Sequence, residues 1–477
     1  MDHKAKALVG LLAATCVFSF IALILSIVNV KDVILPPSTK YGLVFDAGST
    51  HTALYIYRWR ADKENGTGIV SQVETCTAAG PGISSYADDP AGAGASLKPC
   101  LDKAMEIIPA EQQRETPTYL GATAGMRLLS TKAQQVFAEV AKTIGEYPVE
   151  FRGAQVLTGN EEGSFGWISV NFLLETLVKV RAWKWEHPQD AEVFGALDLG
   201  GASTQITFQP GVTIEDKNTS VFFRLYGTNY SLYTHSYLCY GQTQALKRLL
   251  AALHQVLQAS PSTAQISHPC YPRGYQENIT TAELYDSPCV RAPSSPSAVQ
   301  LLRVMGTGEP AACSAAIQQL FNLSCGANST CGFNGVYQPP VRGQFFVRRL
   351  LSISFPVALC PLMAPQLVET FPQEKGYLHK YCSTAIYILT LAPWTKATCG
   401  WERHFWMTFA PSPQAANTDI GWTLGFMLNL TNMIPTEALE HVKGQQPSLW
   451  AGAVSCIVLA TVAGLVTGFL PCFRKSK

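Results

Sequence analysis

The stretch Asp46-Ala47-Gly48-Ser49-Thr50-His51-Thr52 decides how this chain is read. An apolar run, Tyr41-Gly42-Leu43-Val44-Phe45, leads into it, and a partly alternating run, Ala53-Leu54-Tyr55-Ile56-Tyr57, leaves it. That pattern predicts strand, tight turn, strand. The same pattern is written again further on. Val193-Phe194-Gly195-Ala196-Leu197 leads into Asp198-Leu199-Gly200-Gly201-Ala202-Ser203-Thr204, which opens Gln205-Ile206-Thr207-Phe208. Glycine lets a turn backbone come close to a ligand, and exposed N–H groups in such a turn form an anion-binding hollow. The hydroxyls of Ser49, Thr50, Ser203 and Thr204 add donors, and Asp46 and Asp198, at the strand ends, can hold a hydrated metal ion. Asp before Gly is common in ordinary turns. It is the matched pair, in matched contexts, that points to two loops gripping a polyphosphate from opposite sides.

The 477 residues are too many for one compact domain and predict two lobes. Hydrophobic residues make up 47% and charged residues only 14%, a balance that points to membrane segments. Leu8 to Val28 and Leu449 to Leu470 are apolar runs long enough to span a bilayer. A signal peptide competes for the first run, but no clear small-residue cleavage site follows it. Lys4 and Lys6 precede the first run, and Arg474, Lys475 and Lys477 follow the second, so both tails are expected in the cytoplasm. The expected order is tail 1–7, span 8–28, linker 29–40, lobe I 41–160, lobe II 161–425, a return to lobe I and linker 426–448, span 449–470 and tail 471–477.

Seven Asn-x-Ser/Thr sites lie between the spans, at Asn65, Asn218, Asn229, Asn278, Asn322, Asn328 and Asn429, as glycosylation in an extracytoplasmic compartment would require. Eleven of the 14 cysteines also lie there, where an oxidising environment would pair most of them. Cys16 and Cys456 read as apolar filler in the spans, and Cys472 as a palmitoylation candidate. The net charge of +1, with no basic run outside the tails, argues against nucleic-acid binding. A polyphosphate held here must therefore be met mainly by turn N–H groups and a divalent cation.

Strand and helix signals alternate from 41 to about 160, the mark of an α/β lobe. Helices are expected over Leu97–Ile108, Ala133–Ile144, Glu162–Lys179 and Gln242–Gln258. The stretch 260 to 345, rich in Cys, Pro and Gly, reads as loops stapled by disulfides. Gly121-Ala122-Thr123-Ala124-Gly125 is a small-residue turn that can present the Thr123 hydroxyl. Gly159-Asn160-Glu161-Glu162-Gly163 puts two carboxylates at a helix start. There they favour the dipole, and one of them can serve as general base; spacing alone does not choose between them. His51 reads as a turn donor or packed side chain, and Trp422 as a core aromatic that can also reach a ligand.

With these stretches together the chain resembles the ecto-nucleoside triphosphate diphosphohydrolases, the membrane apyrases of the cell-surface branch. Five regions carry the resemblance: Val44–Thr52, Tyr119–Arg127, Thr158–Trp167, Ala196–Gln205 and Asp419–Met433. The resemblance implies an α/β architecture of two ribonuclease-H-like lobes, of the actin–hexokinase–Hsp70 superfamily, with the active-site cleft between them. It implies Glu162 as general base, Ser203 and Gln205 as holders of the attacking water, and Thr123 with Gly48, Ser49, Thr50 and His51 on the terminal phosphate. Gly200, Gly201, Ala202, Ser203, Thr204 and Gln205 would bind phosphate from the other side. Asp46 and Asp198 would hold Ca²⁺ or Mg²⁺ through its waters, with Trp422 beside the ion. Family pairing would join Cys76–Cys100, Cys239–Cys289, Cys270–Cys313, Cys325–Cys331 and Cys360–Cys382 and leave Cys399 over.

The implied activity is hydrolysis of extracellular ATP, ADP, UTP and UDP at the plasma membrane. Expected partners are those nucleotides, membrane lipid, and a second copy of the chain through the transmembrane helices. Departures from the family motivate a rival reading, a catalytically weakened nucleotide-binding surface glycoprotein. Asn160 stands where the family has Gln, Gln242 stands where relatives have an Arg of the base pocket, and 346–359 and 393–416 fit poorly.

Overall fold

The computed structural model describes residues 3–27, 30–35, 38–129, 133–181, 184–186, 188, 192–258, 265–293, 299–326, 330–348, 362–370, 378–391, 407–409, 414–415, 418–439, 441–445 and 447–469. The chain divides into two units, one of residues 39–435 and one formed by 1–38 with 436–477.

A five-stranded and a six-stranded sheet organise the larger unit. In the first, β1 (Thr39–Ala47), β2 (Thr52–Arg60), β3 (Ser71–Thr77), β4 (Pro117–Ala122) and β5 (Glu150–Val156) lie in the order β3-β2-β1-β4-β5. β1 and β2 form an antiparallel hairpin that pairs Ala47 with Thr52. β4 then runs parallel to β1, with Gly121 beside Asp46. The second sheet holds β6 (Gly195–Leu199), β7 (Ser203–Phe208), β8 (Ser220–Leu225), β9 (Thr228–Leu238), β10 (Phe345–Arg348) and β11 (Met407–Phe409), in the order β8-β9-β7-β6-β10-β11. β6 and β7 are antiparallel, and β6, β10 and β11 are parallel. Without β8, the second sheet repeats the strand order and senses of the first. The two glycine loops occupy the same place in each, between the first strand and the second.

The period-two alternation of strands decides what each face buries. Leu43, Phe45, Leu54 and Ile56 pack on α1 (Pro90–Ile107) and α2 (Ala133–Gly145). Val44, Tyr55, Tyr57 and Trp59 turn the other way, into a cluster with Trp422, Leu424 and Met427 of the helix Trp422–Leu430, which in turn lies on α3 (Gly159–Leu173). α1 starts where expected of Asp-Pro: the Asp89 carboxylate accepts from Gly92 N at 3.1 Å, and Pro90 occupies the first turn, where no N–H is needed. α4 spans Gln242–Gln258, as its periodicity predicts. Further on come α5 (Leu378–Leu391) and α6 (Trp422–Leu430). α6 lies against α3, where Ser169 Oγ accepts from Gly425 N at 2.8 Å and donates to the Gly421 carbonyl. It also reaches the first sheet, where the Tyr57 and Thr423 hydroxyls meet at 2.8 Å.

Two expectations need correction. The helix opened at Gly159 ends at Leu173 and not at Lys179, which lies in a short strand. Glu175 takes a left-handed φ of 56°, and Thr176 and Leu177 N–H groups turn back to the Asn171 carbonyl, which terminates the helix. The stretch read as stapled loops contains a three-stranded sheet of Gln265–His268, Gln276–Thr280 and Leu301–Gly306, with helices Thr281–Tyr285 and Pro310–Gln318. Alternating burial of Ile266, Leu302 and Val304 holds that sheet on a small core of its own.

Disulfides join Cys76–Cys100, Cys239–Cys289, Cys270–Cys313 and Cys325–Cys331. Cys382 is also disulfide-bonded; Cys360, its expected partner, and Cys399 lie outside the described residues. In the smaller unit, helices His3–Ile27 and Pro447–Phe469 line a common groove, and Val30–Ile34 pairs with His441–Gln445. Among the described residues no helix is long and apolar enough to cross a membrane.

Candidate active site

The two glycine loops meet. A Cβ built on Gly201 would stand 2.5 Å from Ser49 Oγ and 3.0 Å from Thr50 Cγ2, so glycine there leaves room for the hydroxyl side chains of the first loop. Between them lies a cleft of about 230 Å³. Its lining includes Asp46, Gly48, Ser49, Thr50 and His51 from the first loop, and Asp198, Gly200 and Gly201 from the second. Of the other expected residues Thr123, Glu162 and Trp422 also line it, and Tyr55, Thr75 and Thr77 of β2 and β3 add a wall that the sequence reading missed.

Local rules place each group. Thr123 follows β4 and its N–H bonds the Ala47 carbonyl at 3.2 Å, which ties the small-residue turn to the first loop. Trp422 opens α6 and is buried against Gly121, where a Cβ would meet the indole ring. The Trp422 Nε1 donor has no partner among the described residues. The second loop is braced from behind by the first turn of α4: Gln242 N donates to the Gly200 carbonyl at 2.9 Å and Thr243 N to the Gly201 carbonyl at 2.8 Å.

The structure separates the two adjacent carboxylates. Glu161 closes a capping box: its Oε2 accepts from Thr158 N and Thr158 Oγ1, both at 2.8 Å, while Glu161 N donates to Thr158 Oγ1 at 3.2 Å. Its carboxylate is committed to the helix start and stays off the cleft. Glu162, one residue on, is 7% exposed and lines the cleft. The Thr158-x-x-Glu161 spacing is the signal in the sequence that separates them.

Around Glu162 a polar network closes. Gln205 Nε2 donates to Glu162 Oε2 at 3.0 Å and reaches Ser203 Oγ at 2.7 Å and Ser236 Oγ at 3.1 Å. Arg127 Nη2 forms an ion pair with Glu162 Oε2 and donates to Ser203 Oγ at 3.2 Å. Gln205 Nε2 shares its two hydrogens among three acceptors, while the Ser203 hydroxyl accepts from Arg127 and keeps its own proton to give. Gln205 Oε1 is buried and has no partner among the described residues; a buried amide oxygen in that condition calls for a water. Neither Arg127 nor Ser236 was foreseen, because their partners lie far off in sequence.

The pleat sorts the second loop's hydroxyls. Ser203 and Gln205 face Glu162, whereas Thr204 faces the other way and donates to the Tyr240 carbonyl at 2.6 Å. Ala202, Ser203, Thr204 and Gln205 lie behind the cleft lining rather than on it. Asn160 also points away, donating to the Asn218 carbonyl at 2.9 Å, and Gln242 Nε2 bonds Thr384 Oγ1 at 2.7 Å. Most of 346–359 and 393–416 lies outside the described residues. As for a metal, Asp46 and Asp198 bring carboxylates from both loops to one cleft. Among the described residues no group of three or more His, Cys, Asp or Glu side chains could bind an ion directly. The donor set therefore fits an ion that keeps its waters, as Mg²⁺ prefers to do.

A doubled α/β fold with opposed glycine loops and a buried carboxylate between them defines a phosphate-binding hydrolase type of site. The chain belongs to the GDA1/CD39 (nucleoside phosphatase) family, whose profile matches residues 32–350. It is 68% identical to ectonucleoside triphosphate diphosphohydrolase 8 of Gallus gallus, over the whole of both chains. It is 46% identical to the type-eight protein of Homo sapiens, over 97% of each chain, and 40% identical to the type-two protein of Gallus gallus, over 100% of this chain and 99% of that one. The resemblance to the ecto-nucleoside triphosphate diphosphohydrolases, carried by the five sequence regions, is borne out by these figures. A solved nucleoside triphosphate hydrolase structure from Neospora caninum shares the fold, with a TM-score of 0.58 at 13% identity over 88% of this chain and 95% of that one.

Proposed function

We propose that this chain hydrolyses nucleoside tri- and diphosphates by direct attack of water on the terminal phosphorus. One observation carries the reading: Glu162 lies buried in the cleft between the two glycine loops, hydrogen-bonded to Gln205 and linked through it to Ser203. Glu162 takes the proton of the attacking water. The Ser203 hydroxyl and the Gln205 amide oxygen orient that water. N–H groups of both loops, with the Ser49, Thr50 and Thr123 hydroxyls, hold the terminal phosphate and the charge that develops on it. Asp46 and Asp198 would hold Ca²⁺ or Mg²⁺ through its waters; the ion supplies positive charge against the polyphosphate. Water has its own base here, so no covalent phosphoenzyme is required.

The two matched sheets support two ribonuclease-H-like lobes with the cleft between them. The apolar runs 8–28 and 449–470 of the sequence, with their flanking Lys and Arg, are the support for a two-pass plasma-membrane protein with both tails cytoplasmic. The disulfides support an extracellular catalytic domain. Asn65, Asn218, Asn229, Asn278 and Asn322 are exposed as glycosylation requires, Asn429 is half-buried within α6, and Asn328 lies outside the described residues.

The test is phosphate release by the purified full-length protein given ATP, ADP, UTP or UDP with Mg²⁺ or Ca²⁺. Turnover of these nucleotides is the expected result. Nucleotide binding without phosphate release would overturn the reading in favour of the weakened, non-hydrolytic alternative.

A further inference from the structure

We infer that Arg127 is a positioning residue for the general base, reaching from the first lobe to hold Glu162 and Ser203 of the second in register. The inference rests on the proposed role of Glu162. Arg127 ends the short helix Ala124–Arg127, which follows β4 of the first sheet. Glu162 belongs to the first turn of α3, and Ser203 opens β7 of the second sheet.

A guanidinium Nη2 carries two hydrogens, and Arg127 uses both: one in the ion pair with Glu162 Oε2, the other on Ser203 Oγ at 3.2 Å. Its side chain is 15% exposed and that of Glu162 9%, so the pair is shielded from bulk water and holds a defined geometry. Arg127 is absent from the cleft lining, whereas Glu162 is part of it. The cation therefore acts on the carboxylate from behind and leaves the face toward the phosphate to Glu162 itself. The start of α3 is shaped around this contact. A Cβ on Gly159 would strike Ser236 first and would also stand 2.5 Å from Arg127 Nη1. The glycine that opens the helix thus leaves room for both Ser236 and the guanidinium. Because the contact crosses between lobes, the base is aligned only when the first-lobe turn and the second-lobe helix are correctly docked.

The experiment measures kcat and KM for ATP with the full-length protein in membranes, corrected for the amount of folded protein. Arg127→Ala should lower kcat about 10²-fold, the scale of an ångström-sized misplacement of a reacting group, and leave KM within about threefold. Arg127→Lys keeps the charge but loses the planar fork, and should recover about tenfold of that loss. In a Glu162→Gln background, Arg127→Ala should cost far less than in the parent, since the base it positions is gone and only its bond to Ser203 remains. A raised KM at unchanged kcat in Arg127→Ala would overturn the inference and make Arg127 a nucleotide ligand. Losses that multiply in the double variant would overturn it as well. Full activity of Glu162→Gln alone would refute the base assignment beneath it, a distinct failure.

Discussion

Replacing Glu162 with Gln, and Glu161 with Gln in parallel, separates two neighbouring carboxylates by role. Glu162 faces the cleft at 7% exposure, while the Glu161 carboxylate accepts two bonds at 2.8 Å from Thr158. A Gln at 162 keeps the volume and an acceptor for Arg127, but cannot take a proton from water. Loss of a general base costs about 10²–10⁴-fold in rate, or about 2.7–5.4 kcal/mol of barrier. Exchanging the charged acceptor for a neutral one costs about 1–3 kcal/mol of stability, which the chain can survive. A Gln at 161 still fits the capping box and costs under about 1 kcal/mol, with turnover within about threefold of the parent. The assay is phosphate release at saturating ATP and divalent ion, corrected for folded protein by the amplitude of thermal unfolding. If Glu161→Gln is the inactive variant, or Glu162→Gln stays within tenfold of the parent, the base has been misassigned.

Gly201→Ala should displace the Ser49 hydroxyl, which its Cβ would meet at 2.5 Å; kcat/KM should fall about 10-fold, and a parental value would refute the role of that hydroxyl on the phosphate. Burial holds the His268 imidazole neutral down to about 3, below the ordinary value of 6.5. The unfolded chain takes up that proton between pH 6.5 and 3 and the folded chain does not, so stability falls as pH drops through this window. The loss from this one group is about 2 kcal/mol by pH 5, read as a lowered Tm that His268→Gln should partly flatten; an unchanged slope in that variant would refute it. Excess chelator should stop hydrolysis reversibly, and Asp46→Ala or Asp198→Ala should raise the Ca²⁺ or Mg²⁺ concentration needed for half-maximal rate. Full activity in chelator would contradict ion-assisted binding.

The glycine loops were legible because their chemistry is local: a turn that must admit a phosphate needs glycine, and the flanking alternation declares the strands. The pairing of β1 with β2 and of β6 with β7 follows from that local pattern. Helix α4 was legible to its ends, whereas α3 was overrun, because apolar periodicity continues past the point where the Asn171 carbonyl and the left-handed Glu175 stop it. The small sheet beyond residue 265 was hidden by Pro and Gly density around strands of four to six residues. Thr204 was grouped with Ser203 by type, but the pleat sends adjacent hydroxyls to opposite faces. Arg127 and Ser236 carried no local signal at all; their meaning comes from partners that only the tertiary fold delivers.

The most direct test of the whole account is phosphate release from ATP and ADP added outside intact cells that display this chain, measured beside cells displaying Glu162→Gln at equal surface abundance. The account predicts divalent-ion-dependent release of phosphate into the medium by the parent chain, and a rate lower by at least about 10² for the variant. Equal release by both, or surface protein that binds ATP without releasing phosphate, would contradict it.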